Sequence, residues 1–362
     1  MRTAFEDVAP MTVGLEEEAM LLDPGSLDLC PRAAEVVDRA ADPRFKLELP
    51  AAQLEIVLPP AATVGESAAA LGAARRDLAA AAEGIGILAA AGAHPFADPV
   101  GALNEGPRHA PLALAYGGVA RMQLVCALQI HVAVGGAART LAVYNALRSF
   151  LPELAALAAN APFYAGRDTG LASVRPKLCE LLPRQGVPPA IESWEAYVGA
   201  LEWGASAGAL PAPGRWWWEL RPHAEHGTLE LRVPDAQATV SDAAAVAGFA
   251  HALVGWLAER HDAGDMPEPD PTWRIEENRW AACRDGLDAT FADLRTGRRA
   301  PVRELLAARF GQLAQTAETL GCADELAGAG RLARAGGAAR QRTAAAGDPR
   351  AAARWLTAAF TA

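Results

Sequence analysis

The 362-residue chain is short of several things, and each shortage removes a class of function. Positive charge is in deficit: the net charge is −10, which repels phosphate backbones and argues against a nucleic-acid partner. The arginines gathered after Arg295 read as the solvated faces of Ala-rich helices and not as a binding patch. Cysteines are few and odd in number, and Cys30, Cys126, Cys179, Cys283 and Cys322 form neither a CxxC pair nor a Cys/His zinc spacing. That fits reduced thiols in a cytoplasmic protein. The first residues include Glu6 and Asp7 and lack the apolar core of a signal peptide, which supports the same location. No membrane span is expected either: the apolar stretch 67–93 holds Arg75, Arg76, Asp77 and Glu83. Nothing in the composition cuts the chain into pieces. The acidic, Pro-rich stretch 262–271 is the best linker candidate, yet it is short enough to be a surface loop, so one domain over 1–362 is the expectation. A homodimer is compatible with it. There is no internal repeat and no Gly-rich phosphate loop.

What is present is a set of short acidic and histidine motifs inside apolar, strand-like segments. They are Gly14-Leu15-Glu16-Glu17-Glu18, Gln53-Leu54-Glu55, Gln129-Ile130-His131 and Glu230-Leu231-Arg232. In a strand, residues i and i+2 share a face. Glu16 and Glu18 therefore point one way and Glu17 the other. Three glutamates in a row are usually a solvated run. These lie within an apolar strand, where unpaired carboxylates would cost several kcal/mol unless a cation compensates. Glu48 and Glu55 would fall on opposite faces of one straight strand, but Pro50 lets the chain bend between them. A lone histidine in an apolar strand is usually a satisfied core residue; sharing a site with carboxylates, His131 suits a Mg²⁺ or Mn²⁺ position. Glu230 and Arg232 share a face, as do Glu219 and Arg221. Cross-strand salt bridges are one reading of these four; a metal ligand beside a phosphate-binding guanidinium is the other. In Trp216-Trp217-Trp218, core packing explains at least one face, and aromatic stacking on a nucleotide base or substrate is the alternative that no other residue supports.

The pattern predicts strands over 13–22, 52–57 and 121–134, with Glu48 on the loop leading into the second. It predicts helices over 66–91, 137–159 and 193–203. Residues 161–189, rich in Gly, Pro and Asp, read as a long loop, which in a compact domain is usually functional. Segments 215–221 and 228–233 read as an antiparallel hairpin turning at Gly227. From Ser241 onward the pattern is helical, with breaks near 262–271, 297–301, Gly321, Gly336 and Gly347. Without repeated βαβ units, the fold class is α+β with an antiparallel sheet.

Taken together these motifs resemble the carboxylate–amine ligases of the glutamate–cysteine ligase type 2 family over nearly the whole chain. The resemblance runs from Thr12-Val13-Gly14 through Glu18, Glu48 to Glu55, His94-Pro95-Phe96 and Gln129 to His131. It continues through Arg167 to Arg175, Pro183-Arg184, Arg221-Pro222, Gly227 to Asp235, Glu277-Asn278-Arg279-Trp280 and Leu320 to Leu326. It implies a glutamine-synthetase-like fold, a curved antiparallel sheet with helices packed on its outer face. It implies that Glu16, Glu18, Glu48, Glu55, His131 and Glu230 hold two or three Mg²⁺ ions. Arg232, with Gln129 beside it, is implied to meet the ATP phosphates, and Arg175 and Arg221 are the candidates for the substrate carboxylate. Some positions depart from the family pattern. Ala127 and Ala133 replace glycines, Gln129 a second histidine, Glu17 an apolar residue and Glu225 a basic one.

The implied reaction is ATP-dependent ligation of a small carboxylate to an amine through an acyl phosphate, with γ-glutamyl transfer to cysteine or another amine as the narrower form. A guanidino-kinase-like phosphotransferase and a non-catalytic metal–nucleotide binder are the alternatives. Glu225 is expected to steer amine choice if it lies near the site.

Overall fold

A computed structural model describes residues 2–209 and 215–362. The chain begins with a five-residue helix, Arg2–Glu6, and then enters β1 (Val13–Leu22), the organising strand of the molecule. Its odd-numbered apolar residues Val13, Leu15, Ala19 and Leu21 are fully buried on one side. The strands that follow are β2 (Phe45–Leu47), β3 (Gln53–Val57), β4 (Ile87–Ala89), β5 (Leu128–Val132), β6 (Phe163–Tyr164), β7 (Arg167–Asp168), β8 (Leu220–His223), β9 (Thr228–Leu231), β10 (Thr290–Ala292) and β11 (Arg299–Pro301). Seven of them make the main sheet, in the order β2-β3-β1-β5-β9-β8, with β4 also on β1. Every pairing in it is antiparallel. The fold class is thus α+β, as the missing βαβ units predicted.

The apolar face of the sheet is covered by helices. Helix Val64–Ala82 starts in a capping box, Thr63 with Glu66, and buries Val64, Leu71, Ala74 and Leu78. Helix Val240–Asp262 is capped by Thr239 and is buried almost all round, as a central core helix must be. It is the one helix among the described residues long and apolar enough to cross a membrane, and most of that window is buried inside the protein. Helices Thr272–Asp285, Val302–Thr319, Ala323–Leu332, Gly337–Ala345 and Pro349–Ala359 complete the layer. A continuous apolar core runs from Phe5 to Phe360.

Several boundaries differ from the sequence pattern, each for a local reason. The helix expected over 66–91 ends at Ala82, because Gly84 takes a φ of 73° and the chain turns to lay Ile87–Ala89 against Met20–Leu22. The strand expected over 121–134 shortens to Leu128–Val132, since Gly117–Met122 is a 3₁₀ helix. The helix expected over 137–159 breaks after Leu147 and restarts at Leu151, with Pro152 in the first turn of the second piece. The loop 161–189 contains the β6–β7 hairpin and the short helix Arg175–Cys179. The break near Gly297 is a further hairpin, β10–β11. Asp262 does end a helix, and the next begins at Thr272. All five cysteines are free.

Candidate active site

Register brings the motifs together. Directly opposed residues of antiparallel strands share a face. Glu18 lies opposite Glu55, Glu16 opposite Gln129, His131 opposite Glu230, and Glu230 opposite Arg221. Five strands thus present one polar face, away from the core helices. Over it lies a cavity of about 500 Å³. Glu16, Glu18, Glu48 and Glu55 line its acidic side; Arg175, Arg215, Arg221, Arg232 and Trp217 line another; Arg108, His109, Leu112 and Tyr116 contribute from the segment before β5. Of the ten residues singled out from the sequence, eight reach this cavity: the four glutamates, Gln129, Arg175, Arg221 and Arg232. His131 and Glu230 lie on the same face but outside the cavity lining.

Hydrogen bonds tie the acidic side to the basic one. Gln129 Nε2 donates to Glu18 Oε1 at 3.1 Å and to Glu55 Oε1 at 3.4 Å. The Ala127 amide donates to Glu18 Oε2 at 2.7 Å. Arg232 Nη1 donates to Gln129 Oε1 at 2.5 Å and also to Glu230 Oε1. Arg221 Nε donates to the other oxygen, Glu230 Oε2, at 2.6 Å. Burial pushes the Glu230 carboxyl up, but Arg232 and Arg221 outweigh it and hold the group well below the usual carboxylate range. Glu230 is therefore an ionised strut between two arginines.

Glu18, Glu48 and Glu55 on the cavity wall behave in the opposite way. Burial, then the charge of Glu48, raises Glu18 to about 7. Burial, then Glu48, Glu16 and Glu18, pushes Glu55 well above its ordinary value. Burial raises Glu48 as well. Crowded carboxylates that repel one another are what a hard divalent cation relieves. His131 adds to this: burial holds it down at about 4, Nδ1 is bonded to Thr228 Oγ1 at 2.9 Å, and buried Nε2 has no hydrogen-bond partner, 3.6 Å from Glu16 Oε1. The donor chemistry of these residues fits Mg²⁺ or Mn²⁺. As they stand the donors are spread along the wall: among the described residues no three His, Cys, Asp or Glu side chains are grouped closely enough to hold one ion. Glu230 does not share the fit, because both its oxygens are taken by arginines.

Arg175 comes from the N-terminus of its short helix. Nη1 donates to Val233 O at 3.2 Å and Nη2 to Arg232 O at 2.9 Å, while Asp235 lies 3.6 Å away. Its buried Nε has no partner. The expected hairpin is present, but its first strand begins at Leu220 and not at Arg215. Glu219, just before it, is held by Arg279 Nε at 2.8 Å and Nη2 at 2.5 Å.

The model of glutamate–cysteine ligase family 2 (GCS2) matches residues 12–353. The chain belongs to this family. A relative from Rubrobacter xylanophilus, provisionally named glutamate–cysteine ligase 2-3, is 39% identical over 337 residues, 91% of this chain and 90% of that one. Two solved structures share the fold. One is a glutamate–cysteine ligase from Francisella tularensis in complex with AMP, with a TM-score of 0.69 at 12% identity, covering 97% of this chain and 91% of the other. The second is a bifunctional glutathione synthetase from Pasteurella multocida, with a TM-score of 0.69 at 16% identity, covering 99% of this chain and 53% of the other.

In this ligase-family chain, sequence reasoning gave no firm role to Glu17 or Trp217 and missed Lys46 and Arg108 among other residues of the cavity wall. Glu17 is fully buried beneath the polar face against Arg75. Trp217 stands on the wall beside Tyr116, ring centroids 5.6 Å apart. Lys46 lies opposite Glu55 and lines the cavity. Arg108 lies 3.7 Å from Glu48. Only Gly106, Gly117 and Gly118, which punctuate the sequence around Arg108, could have drawn attention to that segment. Glu225, by contrast, is exposed on the β8–β9 turn and does not line the cavity.

Proposed function

We propose that the protein is an ATP-dependent carboxylate–amine ligase that activates a small acid as an acyl phosphate and joins it to an amine. The observation that carries this reading is the cavity itself, with four mutually repelling glutamates on one wall and Arg232, buried arginines and open space facing them. Such a wall accommodates cations, and cations with arginines accommodate a polyphosphate. Membership of the glutamate–cysteine ligase family supports the reaction type. Glutamate and cysteine, the pair in the relative's name, are the first substrates to try.

A carboxylate is a poor electrophile at neutral pH. Transfer of the γ-phosphoryl group to one of its oxygens releases ADP and gives a mixed anhydride. The amine nitrogen then attacks the acyl carbon, the C–O bond to phosphate breaks, and the amine loses a proton. The products are an amide, ADP and phosphate. The protein's part is positioning and charge compensation. Glu16, Glu18, Glu48 and Glu55, with His131 Nε2, would hold divalent cations; these, when bound, neutralise phosphate charge so that two anions can approach. Arg232 is fixed by Gln129 and Glu230 at the edge of that wall and serves the phosphates. Arg175 offers its unpartnered Nε to the acid's carboxylate. Arg221 supports Glu230 and through it Arg232.

The test is incubation with ATP, Mg²⁺ and a panel of acids and amines. ADP together with an amide supports the reading. ADP with a phosphorylated amine would make the protein a kinase, and neither product from any pair would leave it a binder.

A further inference from the structure

The helix Ala110–Tyr116 carries no buried residue, although Leu112 and Tyr116 face the cavity and Leu114 is 88% exposed. Apart from Tyr116, whose ring lies 5.6 Å from that of Trp217 and whose hydroxyl accepts from Arg184 Nη2 at 3.4 Å, the helix is held by its ends. Both ends are pinned. Before it, Asn104 Nδ2 donates to Glu48 O at 2.7 Å and Pro50 O at 3.2 Å; after it, Arg121 O accepts from the Gly101 amide at 2.9 Å. Between these anchors lie two glycines at positive φ, Gly106 at 108° and Gly117 at 54°, with nothing within 4 Å of where a Cβ would sit. Open space around permissive backbone makes these the hinge points. Inside the hinges sits Arg108. Arg175, Arg221 and Arg232 are each committed to buried side-chain oxygens or main-chain carbonyls. Arg108 has a side chain 59% exposed and meets Glu48 at 3.7 Å, too far for a hydrogen bond.

We propose that residues 105–118 are a hinged lid that closes over the bound nucleotide and brings the Arg108 guanidinium onto its phosphates. The inference rests on the nucleotide-dependent reading given above. Arg108 already stands on the acidic side of the cavity, beside Glu48, where cations and phosphates would meet. Arg175, the candidate for the acid, comes from a different element. The open lid lets substrates in. Closure by one long, mobile cation couples nucleotide binding to water exclusion, because Leu112 and Tyr116 move with it.

The experiment is hydrogen exchange on the full-length protein, with and without Mg²⁺ and a non-hydrolysable ATP analogue, in wild type, Arg108→Gln and Arg108→Lys. Calorimetry measures binding of the analogue separately. The expected result is slowed exchange across 105–118 on binding in wild type, little slowing in Arg108→Gln, and partial recovery in Arg108→Lys. Arg108→Gln should also raise KM for ATP about ten- to a hundredfold, the size of a lost charge-assisted hydrogen bond, with KM for the acid unchanged. Binding without slowed exchange at 105–118 overturns the lid. Equal slowing in Arg108→Gln, or a rise in the acid's KM in place of ATP's, overturns the role of Arg108. Failure of wild type to bind the analogue removes the nucleotide reading itself, and with it this proposal.

Discussion

Glu17 and Arg75 form a fully buried ion pair on the underside of the candidate site, with Arg75 Nε and Nη2 donating to the two Glu17 oxygens at 2.8 and 2.6 Å. The remaining donors of Arg75 reach Gln237 O, Ala238 O and Phe360 O, and its guanidinium lies 4.6 Å from the Phe360 ring centroid. One side chain thus ties the central strand to the approach to the core helix and to the last helix. Removing one member strands the other charge in the core, which costs about 3–5 kcal/mol. Glu17→Gln should lower stability by that amount in urea unfolding. Replacing both residues with methionine should recover much of the loss. A Glu17→Gln variant as stable as wild type would show that the pair does not hold the layers together.

Glu18 should release protons when it gains a cation. Burial and the neighbouring Glu48 place it at about 7, so near neutral pH it carries roughly half a proton that a divalent ion would displace. Calorimetric titration with Mg²⁺ at pH 7, in two buffers of different ionisation heat, reads the number directly. Glu18→Gln should lower that release, leaving what Glu48 and Glu55 contribute, and cut ATP turnover by orders of magnitude. Release unchanged in Glu18→Gln, or normal turnover, would remove Glu18 from the cation site.

The same group sets a pH dependence of stability in the absence of metal. Its folded value is raised, so the folded state holds the proton to higher pH than the unfolded chain does. Stability contributed by the neutral form is present below the ordinary value near 4.5 and is lost as pH rises through about 7. Glu18→Gln should therefore gain on wild type between pH 5 and pH 8. A constant difference across that range would refute the shift.

His94 works in the opposite sense. Burial holds it at about 4; Nε2 meets Leu27 O at 2.9 Å, and Nδ1 accepts from the amides of Phe96 and Ala97. The unfolded chain takes up a proton near 6.5 and the folded one does not. Its contribution is intact above 6.5 and lost as pH falls to about 4. That is roughly 3 kcal/mol across the interval. Differences in unfolding free energy between wild type and His94→Asn, measured at pH 7 and pH 4.5, check it; the gap should shrink in acid.

Glu225 should prove neutral. It is exposed on the turn and away from the cavity, so screening leaves it little influence on a bound amine. Glu225→Gln should leave kcat/KM for neutral, anionic and cationic amines within about twofold, as expected of an exposed charge. A clear change in preference among them would place the acceptor near the β8–β9 turn.

The polar face was legible because it depends on parity. Once residues 13–22 form a strand, Glu16 and Glu18 must share a side and Glu17 must take the other. The same logic put Glu230 with Arg232. Element ends were less legible. Ile87–Ala89 has the composition of a helix continuation and becomes a strand only because Met20–Leu22 offers it an edge. The roles of single residues were the least legible. The sequence left Glu230 open between salt bridges and a metal ligand; the structure gives its two oxygens to Arg221 and Arg232.

What the sequence determined by itself was therefore the α+β class, the alternation of charged and apolar residues in the central strand and the motifs that mark the family. These follow from backbone geometry and from burial of apolar side chains, which act over a few residues. Tertiary structure decided the partners: Arg75 for Glu17, two arginines for Glu230, Arg279 for Glu219, and an unburied helix over the cavity. These charges meet only when the sheet register and the helix layer are in place. The same assembly removes them from water, and so fixes which of them carry protons.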